Sequence, residues 1–239
     1  MNDPIESAVA DYRNGQFREA ERVCRQILAR EPRSPNGNFV LGLALERLNR
    51  LSEAATAYST AIDIAPKDPN YRVCLGQLLK RLGKSAEAIE CFTEALKLRE
   101  SAVGYVEVAE LHLRQGNHPE AERALNAAVQ LDANSGLAHE LLGIVLEETG
   151  RFSESEQELK VAYELQPGKA SILYRLVRSR RQCEQDRGMV ERLTALIESP
   201  SLNDDQQRYA HYALGKTYDD LADYRSAIGH FDIANSLSR

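Results

Sequence analysis

The feature that most constrains this chain is a repeat of 34 residues, visible in where its small residues fall. Of fourteen glycines, Gly42, Gly76, Gly143 and Gly215 share one place in the repeat, and Gly15, Gly83, Gly116 and Gly150 share another. Alanines keep the same step at Ala20, Ala54, Ala88, Ala121 and Ala227, with large residues at Tyr58, Phe92 and Phe231 and closing prolines at Pro32, Pro66 and Pro167. A unit this short cannot bury its own apolar side, so several must stack to make a core.

The residue types specify a pair of helices per unit. A small residue in the first helix, facing an alanine of the second, lets two helix backbones approach closely. Glycine at the second place ends the first helix, where a left-handed cap carries no steric penalty. Proline closes the second helix because it cannot continue one. Asp3-Pro4-Ile5-Glu6, Ser34-Pro35 and Asp68-Pro69 are start signals, a capping side chain followed by proline at the first helical position. The units read as 1–34, 35–68, 69–101, 102–135, 136–169, 170–207 and 208–239 of a single array. The sixth diverges: Val177 stands at the small position, Met189 at the alanine position, and the unit runs long through Ser199–Gln207. Its apolar periodicity survives in Leu173, Leu176 and Val177, then Val190, Leu193, Leu196 and Ile197.

This pattern resembles the tetratricopeptide-repeat family over essentially the whole chain. The resemblance implies an all-α, right-handed superhelical solenoid of about seven helix-turn-helix repeats. It also implies a protein-binding role, because the first helices of that family line a concave groove, chiefly through their second, fifth, ninth and twelfth positions. In repeats two to five these positions carry Phe39, Leu43, Val73, Val106, Leu113 and Ile144 among Glu46, Gln77, Lys80, Glu110, Glu140 and Glu147. In the last two they carry Tyr174, Arg178 and Arg181 beside Tyr209, Tyr212 and Lys216. Tyrosine and arginine are frequent interface anchors, and arginine grips carboxylates with two parallel hydrogen bonds. The expected partner-binding residues are therefore Tyr174, Arg178, Arg181, Tyr209, Tyr212 and Lys216, with Phe39, Leu43, Gln77 and Lys80 in the other zone, and the expected partner is an acidic protein segment or peptide. The bland alternative keeps the arginines as a solvated face and the tyrosines as packing between repeats. A carboxylate clamp of the chaperone-binding kind is not expected, because Ile5, Val9, Phe39 and Leu43 occupy its positions.

The segment from Leu202, LNDDQQRYAHYALGKTYDDLADYRSAIGHFDIANSLSR, resembles the last repeat of bacterial proteins that join such an array to a sulfotransferase domain. That resemblance implies a second reading, an N-terminal arm of a sulfotransferase-type enzyme, and carries no catalytic residue onto this chain. Phe231, Ile233, Ala234 and Leu237 on the final helix predict an apolar face that is exposed or covered by a second copy, since terminal repeats ordinarily need a polar cap.

Other chemistries find little support in the sequence. Net charge is −6, against a nucleic-acid partner, whose binding draws on clustered Lys and Arg. The longest largely apolar run, Phe39–Leu45, stops at Glu46, well short of the roughly 18 to 20 residues of a membrane span. The start, MNDPIESAVADYRNG, has no basic and apolar leader pattern, so the expected compartment is the cytoplasm. Cys24, Cys74, Cys91 and Cys183 lack metal-ligand spacing and fit a reduced interior, and the five histidines show no pairing; no metal or cofactor is expected. Gly215-Lys216-Thr217 resembles the end of a phosphate loop, but Ala210 stands where that motif needs glycine. Asp204-Asp205 and Asp219-Asp220 read as helix-start or solvent-facing charge. No nucleophile has a base beside it, and the expectation is a non-enzymatic chain.

Overall fold

The computed structural model describes residues 4–183, 187–198 and 202–238. Fourteen α-helices occupy the described residues: α1 (Pro4–Arg13), α2 (Phe17–Arg30), α3 (Pro35–Arg47), α4 (Leu51–Ile64), α5 (Pro69–Arg81), α6 (Ser85–Leu98), α7 (Ala102–Arg114), α8 (His118–Leu131), α9 (Gly136–Glu148), α10 (Phe152–Leu165), α11 (Ala170–Ser179), α12 (Arg187–Ile197), α13 (Asp204–Asp220) and α14 (Tyr224–Ser236). No strand occurs among them. The chain divides into two compact units, Met1–Asn117 and His118–Arg239, and the division falls between the two helices of the fourth repeat.

The helix boundaries follow from the local chemistry. The first helices α3, α5, α7, α9 and α13 have side-chain caps. Ser34 Oγ accepts the Gly37 amide (3.1 Å), Asp68 accepts that of Asn70 (2.9 Å), and Asn203 accepts that of Gln206 (2.9 Å). Asp3 lies outside the described residues. The second helices α4 and α10 start without such a cap and use an arginine instead. Arg50 reaches Glu53 in its own first turn and Glu21 of α2 (2.6 Å each), and Arg151 does the same with Glu154 and Glu122 of α8. The pair thus fixes a helix start and ties it to the preceding repeat. Between the helices of a repeat the backbone turns through positive φ at Gly15, Gly83, Gly116 and Gly150, and Asn49 (φ 60°) and Ala222 (φ 61°) adopt the same conformation at the equivalent places.

The inner seam is a contact of glycine with a large side chain. A Cβ on Gly42 would lie 2.6 Å from Cε1 of Tyr58, and one on Gly215 would lie 2.6 Å from Cε1 of Phe231. The same register persists in the divergent sixth repeat, where Val177 and Leu193 are both fully buried. There they form a core with Leu173, Ala213 and Leu214, against which Met189, Val190 and Leu196 pack. In the fifth repeat Ser155 takes the alanine place, and its buried hydroxyl donates to the Gly143 carbonyl (2.7 Å).

Two expectations are modified. The last repeat begins earlier than residue 208, since α13 starts at Asp204 behind the Asn203 cap; residues 204–207 are helical where the sequence suggested loop. Asp220 is not a solvent-facing charge. Its side chain is 7% exposed, pairs with Lys216, and accepts the Gln182 backbone amide (2.9 Å), joining the end of α13 to the segment after α11.

Candidate partner-binding surface

The second unit brings together the aromatic residues of the last two first helices. Tyr174 on α11 has its ring centre 5.7 Å from that of Tyr209 and 5.9 Å from that of Tyr212, both on α13. Tyr212 continues to Phe231 of α14 at 6.4 Å, and its hydroxyl donates to Asn235 Oδ1 (2.7 Å). The three tyrosines are half-buried and pack on one another, tilted, across the repeat boundary. Aromatic contacts of this kind add about 0.5–1.5 kcal/mol each beyond area burial.

The cations of α11, α13 and the segment after α11 are in unequal states. The Arg178 guanidinium lies over the Tyr174 ring, 5.3 Å from its centre, and touches Glu147 only at 4.0 Å. Arg175 makes the shorter pair with Glu147 (2.7 Å). Arg208 lies over Tyr209 and pairs with Asp205 (2.9 Å). Lys216 is held by Asp220, one turn further along α13. Arg181 does not continue the helical face of Tyr174 and Arg178 as its spacing suggested, because α11 ends at Ser179 and the backbone is extended at Arg180. It is exposed, and its side chain has no ion pair among the described residues. Arg180 is exposed and approaches Glu156 at 3.9 Å. Of the named cations, Arg178 and Arg181 thus have the weakest internal claims on their charge.

The first zone is divided between the two units. In the first unit Phe39 packs as a seam residue, 4.9 Å from the Tyr71 ring and 5.9 Å from that of Tyr58. Leu43 is half-buried and Gln77 exposed. Lys80 bridges Glu107 and Glu110 of α7, at 2.6 Å from each, so its charge is already engaged. Glu46 accepts the Tyr58 hydroxyl (3.0 Å) and pairs with Arg81 of α5. In the second unit Glu140 is buried and held by Lys169 and Ser171. This zone is occupied by links between neighbouring repeats.

One pairing escaped the sequence. His211 of α13 and His230 of α14 approach Nδ1 to Nδ1 at 3.0 Å, with ring centres 5.2 Å apart, and Tyr218 stacks flat on His230. The ring centres are nearly as distant as a head-on nitrogen–nitrogen contact permits, which describes a hydrogen bond: one Nδ1 carries the proton and the other accepts it. Burial lowers the pKa of both, and His230 adds to the shift at His211. The fifth repeat has a polar couple at the same places, with His139 Nδ1 2.6 Å from Glu158. Recognising that positional coincidence was the only route from sequence to the contact. No group of three or more ligating side chains capable of holding a metal occurs among the described residues. Nor, among them, is any helix long and apolar enough to cross a membrane. Burial pushes the Cys24 and Cys74 thiols up to about 11, which marks them as inert packing residues.

The family model of the tetratricopeptide repeat matches residues 6–69, 75–135 and 106–170. Among solved structures, the C-terminal part of a TPR repeat-containing protein from Cytophaga hutchinsonii is similar at a TM-score of 0.76 and 17% identity, covering 98% of this chain and 95% of that one. PilF of Pseudomonas aeruginosa is similar at 0.69 and 15%, covering 86% and 94%. YrrB, a TPR protein with an unusual peptide-binding site, is similar at 0.61 and 18%, covering 86% and 96%. No curated protein sequence matches. The likenesses to solved structures show an all-α repeat fold, and the matched repeats span most of the sequence: the chain belongs to the tetratricopeptide-repeat family.

Proposed function

We propose that this chain is a protein-interaction scaffold that binds an acidic peptide or partner segment on the first helices of its last two repeats. The observation that carries the reading is the cluster of Tyr174, Tyr209 and Tyr212, half-buried, with Arg178 over Tyr174 and an exposed Arg181 on the segment that follows α11. Rigid tyrosine rings offer contact area at low entropic cost, and a guanidinium held over a ring is ordered before a ligand arrives. A carboxylate entering there would compete with Glu147 for Arg178 only at that pair's long distance. The peptide-binding site in YrrB, on the same fold, supports the reading by analogy.

The test uses peptides selected from an acidic display library against the full chain. Selected peptides are expected to bind more weakly as salt rises, and the Arg178→Glu, Arg181→Glu double variant is expected to lose about tenfold or more in affinity. Unchanged affinity and salt dependence in that variant would discard the site.

A further inference from the structure

Each unit has a groove between two successive second helices, and the two grooves differ in lining. In the first unit α4, α5 and α6 enclose about 280 Å³, with Arg72 and Leu75 of α5 at the base. Arg72 is half-buried there, donates to the Pro66 carbonyl, and shares the groove with the carboxylates of Asp63, Glu90 and Glu94. In the second unit α10, α11 and α12 enclose about 430 Å³, within the roughly 300–1,000 Å³ of small-molecule sites. Leu173, 1% exposed, stands where Arg72 does, and Leu176 stands where Leu75 does. Tyr163 replaces Ile62, and Met189 of α12 completes an apolar base.

The rim also changes sign. Lys160 and Arg192 take the places of Ser59 and Cys91, and Arg180 comes from the segment after α11. Lys160 (2.8 Å) and Arg180 (3.9 Å) converge on Glu156, two cations on one carboxylate. Arg192 is exposed and has no ion pair among the described residues. The other rim carboxylate, Glu164, is exposed on the last turn of α10. Three cations against two carboxylates leave this rim positive, where the first groove sets three carboxylates against one arginine.

We infer that the cavity between α10, α11 and α12 binds an aliphatic monocarboxylate the size of a medium-chain fatty acid, its chain over Leu173, Leu176 and Met189 and its carboxylate at the cationic rim. A guanidinium meets a carboxylate with two parallel hydrogen bonds, and each methylene group covered by the base leaves water. A small inorganic anion would leave that base uncovered, and a peptide long enough to bind stably would extend beyond a space of this size. The site is separate from the tyrosine cluster, since Leu173 and Leu176 lie on a different face of α11 from Tyr174 and Arg178.

The chain has two methionines, Met1 and Met189, so methyl-labelled methionine gives one NMR reporter in the cavity and one at the start of the chain. Titration of the full chain with decanoate, below its micellar range, is expected to shift the Met189 methyl signal saturably and to leave that of Met1 in place. Octanoate, two methylene groups shorter, is expected to bind about tenfold more weakly. Decanol, which lacks the charge, and decyltrimethylammonium, which reverses it, are each expected to bind about tenfold more weakly than decanoate or worse. Arg192→Glu, at an exposed position, is expected to remove most of the preference for decanoate over decanol. Arg178→Glu with Arg181→Glu is expected to leave decanoate binding unchanged, so this site and the tyrosine cluster fail separately. No saturable shift at Met189, equal binding of decanol and decanoate, or indifference to Arg192→Glu would overturn the proposal. Tighter binding of the alkylammonium would assign the cavity to a cation and overturn it too.

Discussion

Gly42 and Gly215 hold the same place in the repeat, yet their surroundings differ. The ring above Gly42 belongs to Tyr58, which is fully buried and tied through its hydroxyl to Glu46. The ring above Gly215 belongs to Phe231, which has room on one side. Gly42→Ala should therefore force a shift in a closed core and cost about 1–3 kcal/mol. Gly215→Ala should stay within about 1 kcal/mol of the parent, because the ring can swing and alanine favours the helix by about that amount. Urea denaturation of the two variants checks the contrast. Ala222 offers the converse case, holding φ at 61° without the freedom of glycine. Ala222→Gly should stabilise the last repeat by roughly 0.5–1 kcal/mol, measured the same way. At this scale the small residues and their partners were legible in the sequence because packing demands fixed spacing. The burial of Asp220 was not, since its partners Lys216 and the Gln182 amide are assembled only when the segment after α11 returns to the end of α13.

Helices join through couples that a period alone does not reveal. The His211–His230 contact links α13 to α14, and its stability should depend on pH. Both folded pKa values are lowered, chiefly by burial, so the folded state favours neutral rings. Above the unfolded value of about 6.5 neither state is charged and the contribution is intact. As pH falls below that value the unfolded chain takes up protons that the folded pair refuses, and stability declines toward the lowered folded values. Two protonated rings would also both be donors, with no acceptor between them. The midpoint of thermal unfolding should drop by a few degrees more between pH 7.5 and 5.0 in the parent than in His230→Leu; equal drops would exclude the pair as the cause. The sequence showed two histidines on neighbouring helices but nothing of their facing. That came from the angle between α13 and α14, which the repeat fixes in three dimensions. By contrast, the sixth repeat looked weakest by residue identity, yet Val177 and Leu193 keep its register, and α11 and α12 form where the apolar spacing placed them.

For the molecule as a whole, stability is distributed along neighbouring repeats rather than concentrated in one centre. The shortest helices, α1 and α11, have ten residues each, and α12 has eleven. Lys169, which precedes α11, makes no side-chain cap. Amides of α11 and α12 should therefore exchange with solvent faster than those of α3 to α6, as hydrogen exchange with mass readout would show. The fold class was open to reading from composition and period together, whereas the binding surface was legible only as candidate positions: whether Lys80 or Arg181 has charge to spare is decided by what stands opposite. Every glycine at the inner seam meets a side chain of its own repeat. Such a chain is modular in a genetic sense. Duplication or excision of one complete repeat carries both halves of each seam together, so the length of the protein can change in whole steps while every remaining lock keeps its key.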